Sequence, residues 1–341
     1  MPKRFTIILT CLLFLLILVA AGFSQNALQD EYNQKISKAK EIHTQMEQQG
    51  ISKAQFDELN AEYEKLQKEI EILKSKLQAD VDVKKTANYA KKANNDGNTA
   101  LKKGAYEDAL KFYNTAIEYD ANLVQAYYGK GVALSRLRRY EEALTAYTKA
   151  VQINPLYSQA WLALAMLYRK LDRYDAALTA CLTAISNDST SDRAFYELGF
   201  VYNKRKQYQK AADAFAKVTE LNPKSYKAYN AQGVALKKNG KIDDAITAFS
   251  KAVEVRANYH EPYYRLATVY NEIGKHNNAL EAALNCLKYK KKYAAAAFEA
   301  GMAYEKLAQK TNAIKYYNIA KKSRNWRKAA QYQIDMMNRK K

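Results

Sequence analysis

The chain has 341 residues, with 55 Lys and Arg against 35 Asp and Glu, a formal net charge of +20. Only 11 Gly and 4 Pro interrupt it, which excludes a turn-rich all-β architecture and predicts long helices joined by short turns. Apolar residues supply 48% of the chain, enough for a large core and too many for intrinsic disorder.

At the N-terminus, Lys3 and Arg4 precede an apolar run from Phe5 to Phe23 that closes on Ala20, Ala21, Gly22 and Ser24. This basic, apolar, small-residue order predicts a secretory signal cut after Ser24. If it is retained, the run is just long enough for a membrane anchor of ~20 residues. Residues 1–24 are therefore read as signal peptide or N-terminal anchor, and the chain as exported to the periplasm or cell envelope.

Residues 27–79 read as a coiled coil or helical hairpin. Phe56, Leu59, Tyr63, Leu66, Ile70, Leu73 and Leu77 alternate steps of three and four, a heptad seam. Gly50 separates it from an earlier helix carrying Leu28, Tyr32, Ile36, Ala39 and Met46, and Ser52 is placed to cap the second helix. Two readings stay open: the two helices close on each other, or the seam mediates homo-oligomerisation, with Glu69 and Lys74 pairing across chains. Residues 80–89 lack a seam and are expected to form a bent linker.

Beyond the linker a period of 34 emerges. Ala109, Ala143, Ala177, Ala211, Ala245, Ala279 and Ala313 are all alanine, a coincidence with odds on the order of one in a million at ordinary alanine frequency. Twelve residues earlier stand Gly97, Gly131, Ala165, Gly199, Gly233, Ala267 and Gly301. Seven residues later stand Ala116, Ala150, Ala184, Val218, Ala252, Cys286 and Ala320, often with an aromatic three before, as at Tyr113, Tyr147, Phe215, Phe249 and Tyr317. Small residues let helices approach closely and aromatics fill the adjoining gaps. Cys181 and Cys286 are read as free thiols on small buried positions of different repeats, too far apart for a bridge, which needs Cα atoms within about 7 Å.

The pattern resembles the tetratricopeptide repeat family, most clearly in AYYGKGVALSRLRRYEEALTAYTKAVQINP and AFYELGFVYNKRKQYQKAADAFAKVTELNP. The resemblance implies an all-α, right-handed superhelical solenoid of seven helical hairpins, at 90–123, 124–157, 158–191, 192–225, 226–259, 260–293 and 294–327. A capping helix and basic tail follow at 328–341; across 326–339, Trp326, Ala330, Ile334 and Met337 fall at helical spacing. Departures from the family pattern occur at Ala93 and Ala297, which replace a first-helix aromatic, and at Lys291, which replaces the closing proline of Pro155 and Pro223.

In the family, first helices line a concave groove. Carried over position by position, this implies Tyr128, Arg136, Leu162, Met166, Arg169 and Arg193, followed by Tyr196, Phe200, Lys204, Asn230, Lys237, Tyr264 and Arg265. Interleaved aromatic and basic side chains suit an acidic peptide or protein with apolar anchors. The chaperone-tail clamp of some relatives is not expected, because Asn94 and Asn98 are followed by Gly129 where Asn is required. A second binding surface is the basic end: Lys288, Lys290, Lys291, Lys292, Lys321, Lys322, Arg324, Arg327 and Lys328. It would suit an anionic lipid or wall polymer, whereas export leaves nucleic acid little opportunity. His43, His260 and His276 lack metal-ligand spacing, and no nucleophile or phosphate-loop motif is present. A non-catalytic scaffold without cofactor or metal is expected.

Overall fold

The computed structural model describes residues 26–47 and 50–339; the predicted signal or anchor, with its Cys11, lies outside them. Among the described residues there are sixteen helices and no strand. The chain divides into two compact units, the first ending at Ala126 and the second beginning at Tyr127.

The first unit is built on α1 (26–46), α2 (Lys53–Lys102) and α3 (Tyr106–Tyr119). Gly50 turns the chain with a φ of +95°, and a capping box between Ser52 and Gln55 starts α2. The turn sends α2 back along α1, so Ala39, Ile42 and Leu66 bury one another, with Met46, Leu59, Tyr63 and Ile70 packed around them. Lys35 pairs with Glu69 and Lys38 with Glu62, each at 2.6 Å, and His43 stacks on Tyr63.

Of the two open readings, the described residues display the hairpin. The seam is occupied within one chain because a turn-linked partner is always at hand, with Glu69 paired to Lys35 and Lys74 to Glu71. Leu73 is buried as well, Leu77 half-buried, and only Phe56, at the turn end, remains 41% exposed. Ile42, absent from the sequence-derived seam, is the most buried residue of the hairpin.

The expected linker is corrected. The α2 helix runs unbroken through 80–89, since no Gly or Pro lies between Gly50 and Gly97 to stop it. Its last turns are the first helix of repeat 1: Ala90, Ala93, Gly97 and Ala100 are buried, and α3 contributes Ala109, Leu110, Tyr113 and Ala116.

The second unit continues with α4 (Val124–Arg136), which straddles the boundary, and α5 (Tyr140–Ile153). Next come α6 (Ser158–Lys170), α7 (Tyr174–Asn187), α8 (Asp192–Lys204), α9 (Tyr208–Leu221), α10 (Tyr226–Lys238) and α11 (Ile242–Val255). It closes with α12 (His260–Glu272), α13 (His276–Tyr289), α14 (Ala294–Lys306), α15 (Lys310–Lys321) and the cap α16 (Arg327–Arg339). Even-numbered helices from α4 to α14 open each hairpin and odd-numbered ones close it. All seven period alanines are fully buried. On α16, Ala330, Ile334 and Met337 face inward against Ala297, Tyr317 and Ala320, with Trp326 beside them.

Size complementarity fixes the fit inside each hairpin. A Cβ placed on Gly97, Gly131, Gly199, Gly233 or Gly301 would come within 2.5 to 2.7 Å of the ring sixteen residues later: Tyr113, Tyr147, Phe215, Phe249 or Tyr317. Where the first position is Ala165 or Ala267, the sixteenth is Cys181 or Ala283. Cys181 therefore occupies the aromatic site, not a small-residue site as the sequence reading had it, and its small thiol is what Ala165 admits. Both Cys181 and Cys286 are free and fully buried, and burial pushes each thiol up to about 12.

The turn inside every hairpin of the second unit passes through the left-handed region, at Arg138, Asp172, Lys206, Gly240, Gly274 and Ala308. Here the backbone demand recurs at 34 while the residue type does not.

Glu299 is buried and, among the described residues, no cation pairs with it; Asn271 Nδ2 donates to it at 2.8 Å and the Thr268 hydroxyl at 3.3 Å. Burial raises its pKa above the ordinary 4.5, outweighing those hydrogen bonds. A raised carboxyl favours the folded state when protonated, so its charge lowers stability as pH rises through the folded-state value. The difference in unfolding midpoint between wild type and Glu299→Gln should shift in favour of the variant as pH rises from 4 towards 7. A pH-independent difference sinks this account.

Candidate partner-binding groove

The α4, α6 and α8 helices open successive hairpins, so residues 34 apart on them line up across one face. Tyr128, Arg136, Tyr140, Met166, Arg169 and Arg193 line a cavity of about 610 Å³. Met166 and Arg193 also wall a second cavity of about 280 Å³ that continues to Asp192, Tyr196, Glu197 and Lys227. The two cavities adjoin each other, with Met166 and Arg193 in the walls of both.

Its floor is aromatic. Tyr128 stands 5.8 Å from Tyr147 and edge-on to Tyr157 at 5.5 Å. Tyr196, Phe200 and the buried Phe215 form a mutually edge-on triad, with centroids 4.8 to 5.5 Å apart. Burial pushes the hydroxyls of Tyr147 and Tyr196 up to about 12, so both stay neutral. Met166 remains 37% exposed, a flexible apolar surface open to a partner.

The cations divide into free and committed ones. Arg136, Arg193 and Lys204 are exposed and form no ion pair among the described residues. Arg169 donates from Nε to Glu197 at 2.6 Å and lies over the Phe200 ring at 5.4 Å. Lys237 pairs with Glu272 at 2.7 Å and Arg265 with Glu261 at 2.9 Å. Of the expected groove residues, Arg169, Lys237 and Arg265 are thus engaged in ion pairs with residues of a neighbouring turn or repeat, while Arg169 still lines the cavity.

Leu162 is corrected: it is buried with Ala184 and Ala194, where α8 covers the face one turn before Met166. Asn230 donates to Tyr259 at 3.5 Å, and Tyr264 packs edge-on against Tyr293. Asn98 accepts from the Tyr113 hydroxyl at 2.8 Å. Two groove residues escaped the sequence reading, Tyr140 and Lys170, whose Nζ sits 4.3 Å over the Tyr140 ring. The recurrence of Tyr106, Tyr140, Tyr174 and Tyr208 at 34 was the signal for the first.

At the basic end, Lys288, Lys290, Lys291, Lys292, Lys322, Arg324, Arg327 and Lys328 are exposed and Lys321 is half-buried; none forms an ion pair among the described residues. Lys290 donates to His260 Nε2 at 3.2 Å and lies 4.7 Å from the Tyr293 ring centroid. Burial and then Lys290 hold His260 below its ordinary pKa.

Among solved structures, the chain is similar to the C-terminal part of a repeat-containing protein from Cytophaga hutchinsonii, at 16% identity and a TM-score of 0.58, covering 67% of this chain and 93% of that one. It is similar to a tetratricopeptide repeat protein from Parabacteroides merdae at 18% and 0.53, covering 73% and 99%. YrrB, a TPR protein with an unusual peptide-binding site, matches at 24% and 0.45, covering 50% and 88%. At these identities the first two likenesses bear on the fold alone. Among curated proteins none matches. Five tetratricopeptide-repeat models match residues 97–137, 124–157, 146–179, 196–262 and 260–293, together more than half of the chain. With its 34-residue frame expressed as stacked helical hairpins, the chain belongs to the tetratricopeptide repeat family.

Proposed function

We propose that this protein is a non-catalytic interaction scaffold that holds an acidic peptide segment of a partner protein across α4, α6 and α8. The observation carrying this reading is the pair of adjoining cavities whose walls combine exposed Met166 and half-buried Tyr128, Tyr140 and Tyr196 with Arg136 and Arg193, which form no ion pair among the described residues. An apolar residue seated on Met166 gains packing area, and flanking carboxylates gain charge-assisted hydrogen bonds. The apolar run from Phe5 to Phe23 supports a location in the cell envelope, to be checked by cell fractionation.

Selection of a random peptide display library on the full chain tests the groove. Enriched peptides should carry Asp or Glu beside an aliphatic or aromatic residue. Arg136→Glu with Arg193→Glu should weaken them by about a hundredfold, at ~1.4 kcal/mol per lost contact, while Lys237→Gln leaves them bound. Peptides that bind the double variant as tightly as wild type would remove the proposed role of this groove.

A further inference from the structure

In the second unit, each turn that joins one hairpin to the next lies at the same end of its helices, so these turns share one edge of the repeat stack. Along the chain that edge carries Asp188, then Lys224, then Arg256, then Lys290, Lys291 and Lys292, and finally Lys322 and Arg324. Positive charge accumulates towards the last two repeats. From Lys288 onward there are 15 Lys and Arg against Glu299, Glu305 and Asp335. Glu299 is buried and Glu305 accepts from the Tyr317 hydroxyl, so neither meets the basic turns.

Helix electrostatics argue that this charge is not there for the fold. Lys291 and Lys292 stand just before α14, and Arg327 and Lys328 form the first turn of α16, at the positive ends of two helix dipoles. Neither helix has an acidic residue in its first turn to offset these cations, as α8 has Asp192 and α12 has Glu261; α4, α6 and α10 lack one too, but of these only α14 and α16 carry such a cluster of adjacent cations. Cations at a helix N-terminus raise the energy of the folded state. A bound anion relieves that repulsion.

Two features select the kind of anion. Tyr289 is exposed and Trp326 half-exposed beside the same turns, and such rings suit the boundary between water and hydrocarbon. In addition, the 25 residues preceding the described chain hold the 19-residue apolar run from Phe5 to Phe23, the length of a bilayer span. We propose that the basic edge of the last two repeats docks on the anionic phospholipid headgroups of a membrane. This surface is separate from the groove and does not depend on it.

The test is co-sedimentation of the full chain with vesicles of phosphatidylcholine alone or mixed with phosphatidylglycerol. A variant with Lys290, Lys291, Lys292, Arg324, Arg327 and Lys328 changed to Gln is compared with one neutralised at Lys68, Lys76, Lys102, Lys103, Lys149 and Lys206. Wild type and control should bind the mixed vesicles at least about tenfold better than the neutral ones, and added salt should erase the gain. The basic-edge variant should bind both vesicles alike, with a thermal midpoint close to wild type, because relief of dipole repulsion offsets the loss of the Lys290 contacts to His260 and Tyr293. If that midpoint falls, the three-residue change at 290–292 is compared in its place. Retained preference for phosphatidylglycerol in the edge variant overturns the proposal. So does tighter binding of duplex RNA or polyglutamate than of the vesicles, which would assign the edge to another macromolecule.

Discussion

Gly199→Val is expected to destabilise the protein by about 3 kcal/mol, the upper part of the range for overpacking a close-packed core. A Cβ on Gly199 would meet Phe215 Cε1 at 2.6 Å and Cζ at 2.8 Å. The ring cannot retreat, because Phe215 is fully buried and held edge-on by Tyr196 and Phe200. Phe215→Ala alone should cost about 3–5 kcal/mol through the cavity it leaves. In that background Gly199→Val should cost under about 1 kcal/mol, because the cavity accepts the new side chain. Urea unfolding midpoints of the four proteins provide the cycle. The Ala165–Cys181 and Ala267–Ala283 pairs are natural versions of the compensated state. If valine costs the same with and without the Phe215 ring, the pairing of small and large residues does not set the hairpin fit.

Arg169→Ala is expected to lower stability by about 2–3 kcal/mol, although the residue faces the groove. Glu197 is buried and its carboxylate depends on the 2.6 Å contact from Arg169 Nε; removing the arginine strands a buried charge. The estimate sits below the 3–5 kcal/mol of a fully buried pair because the Arg169 side chain retains 31% exposure. Arg169→Met with Glu197→Gln should recover most of the loss, since no uncompensated charge remains. Arg136→Ala, at an exposed position without an ion pair, should change stability by no more than about 0.5 kcal/mol. Equal unfolding midpoints for Arg169→Ala and Arg136→Ala would mean that Arg169 is as free as its neighbour.

Much of the hairpin architecture was legible in the chain because its demands repeat. A helix pair that must approach closely needs small residues at fixed steps, and Ala109 through Ala313 show that need seven times. The left-handed turn position was not legible, because Arg138, Asp172, Lys206 and Ala308 stand where Gly would have announced it. The expected linker at 80–89 failed for a related reason. A missing hydrophobic seam says that a helix lacks a partner there, not that the helix ends; exposed Val81 and Val83 lie on just such a stretch.

The groove was legible as a face but not as a set of available groups. First-helix spacing brought Tyr128, Arg136, Met166, Arg193 and Tyr196 together, because periodicity fixes which side of a helix a residue occupies. It could not say that Arg169 is held by Glu197, 28 residues away, or Lys237 by Glu272, 35 residues away. Those pairings depend on how neighbouring repeats stack.

The sequence by itself determined the repeat length, the hairpin unit, the small-residue contacts and the concentration of positive charge near the C-terminal end, since each is written in residue type and spacing. Only the tertiary structure decided that the N-terminal seam is filled by its own chain, that Leu162 lies in the core, and which groove arginines are free. The physical reason is the same in each case: a side chain's availability is set by whatever the fold brings within a few ångströms of it, and that neighbour is distant in sequence.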